Sequence, residues 1–172
     1  MDRAALRSIQ GPLKARYRED PAAAFVVLRA EGELGDEGVS CSVRTGKALA
    51  EAGLHPTTGG DGTLLCSGDM LLEALVACAG VTFRAVAINR GIEVQGGTVR
   101  AEGDLDMRGT LGMDPDVAVG FSNIRLSFDL RTNASAEEVE SLVATTERYC
   151  VVLQTLLRNP EVTVSAGQSP AG

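Results

Sequence analysis

The run LLEALVACAGVTFRAVA, Leu71 to Ala87, carries only two charges in seventeen residues, Glu73 and Arg84, and one sulfur, Cys78. A helix from about Met70 to Arg90 would point Leu71, Leu72, Leu75, Val76, Phe83, Val86 and Ile88 in nearly all directions at 3.6 residues per turn. A helix that is apolar all round is buried all round. Ser67 or Asp69 is placed to cap its start, and Gly91 to stop it. One small sheet cannot cover every face of such a helix. The expectation is therefore a homodimer in which two chains wrap each other's central helices.

Outward from this helix the pattern turns to strands. Upstream, AAFVVLRAEGEL reads as a strand from Ala23 to about Leu34, and GDEG, Gly35 to Gly38, as a turn. VSCSVRTG alternates next, with Val39, Cys41 and Val43 on one side, so a β-hairpin is expected. KALAEAGLHPTTGGDGTLLCSGD begins as a helical turn and continues as a long glycine-rich loop, a type of segment that often carries function. Downstream, Ile92–Met107 and Val117–Asn133 alternate as strands around a turn-rich link. In the second, Ile124, Leu126, Phe128 and Leu130 share the inward face, as in a half-buried antiparallel strand. Ser135 and Glu138 form a capping-box pattern that opens a second helix running to Arg158-Asn159-Pro160. EVTVSA, 161–166, reads as a last strand. The fold class is α+β, with antiparallel strands in both halves around a long buried central helix and a second helix. Residues 1–20 form a polar arm or weak helix stopped by Gly11-Pro12, residues 21–166 the domain, and residues 167–172 a disordered tail.

Composition narrows the function classes. At 172 residues, 44% hydrophobic and 23% charged, the chain suits one domain with a real core, and its apolar run is not read as spanning a bilayer. A net charge of −7 and the absence of Trp argue against a nucleic-acid partner. The charged N-terminus lacks the apolar stretch of a secretory signal, so the cytoplasm is the expected location, and no membrane partner is expected. In that compartment the four cysteines do not read as a structural disulfide framework, and no C-x-x-C pair points to zinc.

Cys78 has two readings. On a helix face with Leu71, Leu75 and Thr82 it is either a small packed hydrophobe or a nucleophile in a dry wall. Cys150, on the apolar side of the second helix in ERYCVVLQTL, bears on that choice. Two buried thiols facing each other suit peroxide reduction, in which one sulfur is oxidised to a sulfenic acid and the other captures it as a disulfide. Cys41 reads as core, and Cys66, near the helix start, as a packed residue or an alternate thiol.

GDMLLEALVACAGVT, followed by ERYCVVLQTL with its cysteine 72 positions after Cys78, resembles the OsmC/Ohr family of thiol-dependent hydroperoxide reductases. There the first cysteine follows a PEELLLAALAAC-like run on a central helix, and the second lies in an AEKYCPV-like run. The resemblance covers the chain apart from the first twenty residues. It implies an intertwined OsmC-like dimer with active sites at the interface, no metal or organic cofactor, Cys78 as the peroxidatic and Cys150 as the resolving cysteine. It also implies an organic hydroperoxide substrate and an external dithiol reductant. The family places a glutamate ten residues before the reactive cysteine, paired with an arginine; here that position is Gly68, with Asp69 beside it. Asp69 is either a shorter substitute or a helix cap. Arg44 is either the donor to the thiolate or an exposed strand residue, and His55, the one histidine, either replaces that arginine or sits on a surface loop. Glu73 reads as a surface group pairing with Arg84 or Arg44. Two other functions stay open: an OsmC-like domain that senses oxidants or binds an apolar ligand without turnover, and a metal centre built from His55, Cys66, Cys78 and Cys150.

Overall fold

The computed structural model describes residues 2–25, 27, 32–34, 40–45 and 48–167, and of residues 32–34, 40–45, 48 and 49 it describes the backbone. The first helix, α1 (Arg3–Glu19), starts at Asp2, whose carboxylate accepts from the Ala5 N–H at 2.8 Å, and runs through Gly11-Pro12 without stopping there. It packs against the central helix. The strand expected from Ala23 is not formed at its start: Pro21–Ala24 is a 3₁₀ turn capped by Asp20, and β1 is short (Gly32–Leu34). The positions between them, and the expected turn at 35–38, lie outside the described residues except for Phe25 and Val27.

The hairpin is present. β1 pairs antiparallel with β2 (Ser40–Thr45), with Leu34 opposite Cys41. β3 (Ala48–Gly53) overturns the expected helical turn. Its alanines favour a helix in isolation, but a two-residue link from Thr45 to Ala48 lets all six residues of β2 pair with β3. Short β4 (Leu65–Cys66) adds in parallel to β3 and completes a four-stranded sheet in chain order.

The central helix, α2 (Ser67–Arg90), begins directly after β4. Neither Ser67 nor Asp69 caps it; Cys66 occupies the capping position in extended backbone and makes no side-chain cap bond. Asp69 instead lies in the first turn, where a carboxylate suits the positive end of the helix dipole. Gly91 ends the helix at φ +71, the left-handed conformation that glycine adopts without strain. β5 (Val94–Leu105) and β6 (Phe121–Thr132) form a separate antiparallel pair, joined through the short helix α3 (Met107–Thr110). A Cβ at Gly97 would lie 2.3 Å from the Asp129 carbonyl oxygen, so only glycine allows the strands to approach there. The alternation of β6 is as expected, with Ile124, Leu126, Phe128 and Leu130 partly buried and Arg125, Ser127, Asp129 and Arg131 exposed.

The second helix opens on the expected capping box. In α4 (Ala136–Tyr149) the Glu138 N–H donates to Ser135 Oγ at 3.2 Å, and the Ser135 N–H donates to Glu138 Oε2 at 2.8 Å. It does not continue to Arg158. Cys150, at φ −72 and ψ 107, breaks it, and α5 (Val151–Arg158) restarts beyond. Tyr149, Cys150, Val151 and Val152 are all weak helix formers, and the break falls among them. No strand forms at 161–166: Val162 is 76% and Val164 92% exposed, without a neighbouring strand among the described residues. The expected tail lies outside the described residues from 168 onward.

The core is one continuous layer between α2, the β5–β6 pair and α4–α5. Leu75, Ala79, Phe83 and Ala87 line one buried stripe of α2 at four-residue spacing. Phe83, Ala87, Val94 and Leu142 pack at one end, and Leu75, Ala79 and Cys150 at the other, with Phe128 touching both groups. Arg90 clamps the end of α2 to α4 by donating to Ser141 Oγ at 2.7 Å and to Thr145 Oγ1. Within one chain, then, α2 is buried on one side, not all round: Val81 is 72% exposed. Contrary to the sequence reading, α2 is long and apolar enough to cross a membrane by length and composition, though its stripe is packed into this core.

Candidate active site

Cys78 lies on α2 one residue before the buried stripe position Ala79, half-buried, and packs against the cluster centred on Leu75, Ala79 and Cys150. Cys150 is fully buried at the α4–α5 junction. Its backbone N–H donates to the Thr146 carbonyl at 2.8 Å and its carbonyl accepts from Gln154 N–H at 2.9 Å, so the residue is fixed on both sides of the break. Val99, Ala101, Ile124, Leu126, Val152 and Leu153 supply apolar walls. The fold thus brings together the two sulfurs that the sequence separates by 72 positions.

The two thiols are tuned in opposite directions. Burial opposes ionisation of Cys78, but the neighbouring Val152 N–H, Cys150 thiol, Val151 N–H and Thr82 hydroxyl favour its charged form. Together they outweigh the burial and draw the Cys78 pKa below the ordinary thiol value. Burial pushes the Cys150 thiol up, and the Cys78 sulfur beside it pushes further, against the Leu153 and Val152 N–H groups. The fold thus favours ionisation of Cys78 over ionisation of Cys150. Both are free cysteines.

The other residues marked in the sequence stand elsewhere. His55 precedes a 3₁₀ turn, Pro56–Thr58, and is occupied locally: its Nδ1 lies 2.6 Å from Thr57 Oγ1 and accepts from the Thr57 N–H at 3.2 Å. Asp69 is exposed and, with Leu72, Glu73, Val76, Ala77 and Ala101, lines a cavity of about 430 Å³. Neither is among the groups that shift Cys78. Arg44 lies in β2 opposite Leu49, and its side chain, like that of Cys41, falls outside the described residues. Arg84 does not pair with Glu73; it donates to the Val94 carbonyl and ties α2 to β5. Cys66 is half-buried at the start of α2. No three metal-ligating side chains gather among the described residues, so the set His55, Cys66, Cys78 and Cys150 does not form a centre.

Sequence reasoning placed Thr82 on the Cys78 face but gave it no role, and it missed the α5 N-terminus. The four-residue spacing of Cys78 and Thr82 was a readable signal. The break that exposes the Val151 and Val152 amides was not, because the cap of α4 suggested one unbroken helix. A second cavity, of about 580 Å³, shares Ile124, Leu126, Phe128 and Leu153 with the walls around the sulfur pair.

Comparison with known proteins adds the following. The sequence model of a family described as OsmC-like protein matches residues 60–165. No curated protein matches the chain by sequence. Among solved structures, an OsmC-like protein from Mycoplasma pneumoniae superposes with TM-score 0.64 at 17% identity, over 77% of this chain and 89% of that one. An organic hydroperoxide resistance protein OsmC from Legionella pneumophila gives 0.61 at 20% identity, over 79% and 93%. An organic hydroperoxide resistance protein from Elizabethkingia anophelis, with bound thiocyanate, gives 0.62 at 15%, over 79% and 91%. These likenesses establish a shared α+β fold with a long central helix.

Proposed function

This chain belongs to the OsmC-like family, and from that premise we propose that it is a cysteine-based peroxidase that reduces organic hydroperoxides in defence against oxidative stress. The observation that carries the reading is the pairing of Cys78 and Cys150 in one apolar pocket with opposite protonation preferences. The names of the Legionella and Elizabethkingia proteins point the same way.

In this reading the Cys78 thiolate attacks the distal oxygen of ROOH, and the O–O bond breaks. The leaving alkoxide takes the proton of the Cys150 thiol and departs as ROH, and Cys78 becomes a sulfenic acid. The Cys150 thiolate attacks the Cys78 sulfur, the S–S bond forms, and hydroxide leaves. An external dithiol then returns both sulfurs to the reduced state and is itself oxidised to a disulfide, which suits a reducing cytoplasm. The half-buried face of Cys78 admits substrate, and the 580 Å³ cavity, apolar at Ile124, Leu126, Phe128 and Leu153 and polar at Glu147, Arg148, Gln154 and Arg158, offers room for the organic group. No metal or organic cofactor enters these steps.

The exposed apolar side of α2, with Val81 72% exposed, favours a homodimer in which a second copy covers it. Stopped-flow oxidation of the reduced protein by cumene hydroperoxide tests the catalytic reading. Thiol at Cys78 should be consumed far faster than free cysteine, Cys78→Ser should abolish the reaction, and Cys150→Ser should trap a sulfenate. A rate equal to that of free cysteine would leave an oxidant-sensing or ligand-binding role in its place.

A further inference from the structure

We propose that α1 is a peripheral docking helix for an anionic lipid bilayer. Ile9, Leu13 and Tyr17 enter the boundary between headgroups and acyl chains, and Arg7, Lys14, Arg16 and Arg18 hold the lipid charges. The inference stands on one helix and its surface, whatever chemistry the cysteines perform.

The unbroken run of α1 creates the face. Ile9, Leu13 and Tyr17 recur at four-residue spacing, so they share one stripe only if the helix continues through Gly11-Pro12, as it does. Read with a stop at that pair, the sequence offers no such stripe, and no membrane partner is expected from it. At 100° per residue, Arg3, Lys14, Arg7 and Arg18 fall within an arc of about 60° on one flank of the apolar stripe, and Arg16 falls on the other flank. Glu19, the one acid of the helix, lies away from the stripe.

The fold leaves this face open. Only the first turns meet the domain: Leu6 and Gln10 are half-buried, Arg3 lies beside Gly91 at the end of α2, and every residue from Gly11 to Glu19 is exposed. Ile9 is 54%, Leu13 43% and Tyr17 39% exposed, although an amphipathic helix normally turns such a stripe to the core.

Charge selects the occupant. A helix that lies in a bilayer surface carries apolar side chains bordered by Lys and Arg, whose stems follow the acyl boundary while their charges reach the headgroups. A seam between two protein helices is bordered by both signs, and this one is bordered by cations alone. A polynucleotide would use the cations and leave the apolar stripe in water. The cations are also concentrated: the chain carries −7 as a whole, yet α1 holds Arg3, Arg7, Lys14, Arg16 and Arg18 against Glu19. An anionic surface therefore attracts this helix and repels the rest of the chain, which orients the domain on it. Three large side chains give reversible attachment.

The test uses the full reduced chain and vesicles of phosphatidylcholine, alone or mixed with phosphatidylserine. The parent should sediment with the mixed vesicles, stay free of the neutral ones and be released by salt. The sequence has no Trp, so Tyr17→Trp supplies a single reporter, whose emission should shift to the blue on mixed vesicles only. Arg7→Gln with Lys14→Gln should weaken binding about 25-fold, on the scale of roughly fivefold per basic residue at an anionic surface. Ile9→Gln with Leu13→Gln, which keeps charge and helix propensity, should weaken it as well. All four positions are exposed. Circular dichroism identifies a pair that fails to fold, and the other pair then decides. Equal binding to both vesicle types, binding to neither, or parent-strength binding in either folded pair overturns the proposal. A fall in molar mass by light scattering in either pair, without vesicles, also overturns it, because a second copy would then be what covers α1. Peroxide consumption enters none of these readings, so the hydroperoxide reading and the docking helix fail or stand separately.

Discussion

α4 and α5 are joined through one residue, yet their N-termini are finished in opposite ways. At α4 the Ser135 side chain and the Glu138 carboxylate satisfy each other's backbone N–H groups, so that end is closed by its own sequence. At α5 the capping position holds a cysteine that makes no cap bond, and the first-turn amides of Val151 and Val152 favour the charged form of Cys78 on another helix. A helix end closed locally contributes stability and nothing else. An end left open contributes less to its own helix and can favour a negative charge placed beside it. The α4 end is exposed at the edge of the fold, whereas the α5 end follows the fully buried Cys150, with Val151 turned outward and Val152 partly buried.

If the division is real, damage to α4 should change stability and leave the sulfur chemistry alone. The largest effect is expected from Leu142→Ala. Leu142 is fully exposure-free and sits with Phe83, Ala87 and Val94 at the end of the core away from the cysteines. Truncation there should remove about 2–5 kcal/mol of unfolding free energy, measured by urea titration. The folded fraction should still alkylate Cys78 with the parent pH midpoint. A moved midpoint would mean that the two ends of the core are mechanically one.

The pH profile is the next lever, and it acts on α5 alone. Cys78 has a pKa lowered by the fold, against burial, through the Val152, Cys150, Val151 and Thr82 donors. Its reaction with cumene hydroperoxide should therefore persist to lower pH than that of a free thiol and fall as pH drops through the lowered pKa. A free thiol loses its rate nearer to about pH 8.5. The stability sign follows. The Cys78 contribution is present above the unfolded thiol pKa and is lost as pH falls through the folded one. Cys150, raised by burial, contributes in the opposite sense: its share is present below the unfolded pKa and is lost as pH rises past it. A reaction midpoint at or above that of free cysteine would break the contrast between the two helix ends.

How much of this was legible depended on whether the signal was local. The β6 alternation, the Gly91 stop and the Ser135–Glu138 box are carried by neighbours in sequence, and all three are present. The pairing of Cys78 with Cys150 was readable from two apolar helix faces and a family resemblance. β3 was not readable, because its alanines favour helix and only the pairing with β2 overrides them. The break at Cys150 is likewise a tertiary event in a run of weak helix formers. The sequence draws the eye to side chains that carry charge, yet neither His55 nor Asp69 is among the described groups that act on Cys78, which are backbone amides, a thiol and a hydroxyl. A backbone N–H is present at every residue but proline, so no residue letter announces it.

The smallest effect is expected at the closed end, and it is the sharpest control. Ser135→Ala removes the oxygen that accepts from the Glu138 N–H. Loss of such a cap typically destabilises by about 1 kcal/mol, a shift of roughly 2–4 °C in Tm for a chain of this size. The partner bond, from the Ser135 N–H to Glu138, survives because it uses the backbone of residue 135. The 14 residues of α4 separate the change from Cys150, and the buried Leu142 and Thr146 lie between. The Cys78 titration midpoint and the rate of peroxide consumption should therefore stay at parent values while Tm falls. If Ser135→Ala moved that midpoint, fraying of α4 would be reaching the α5 amides through the junction. The open end would then owe its aim to the closed one, and the two could no longer be assigned separate work.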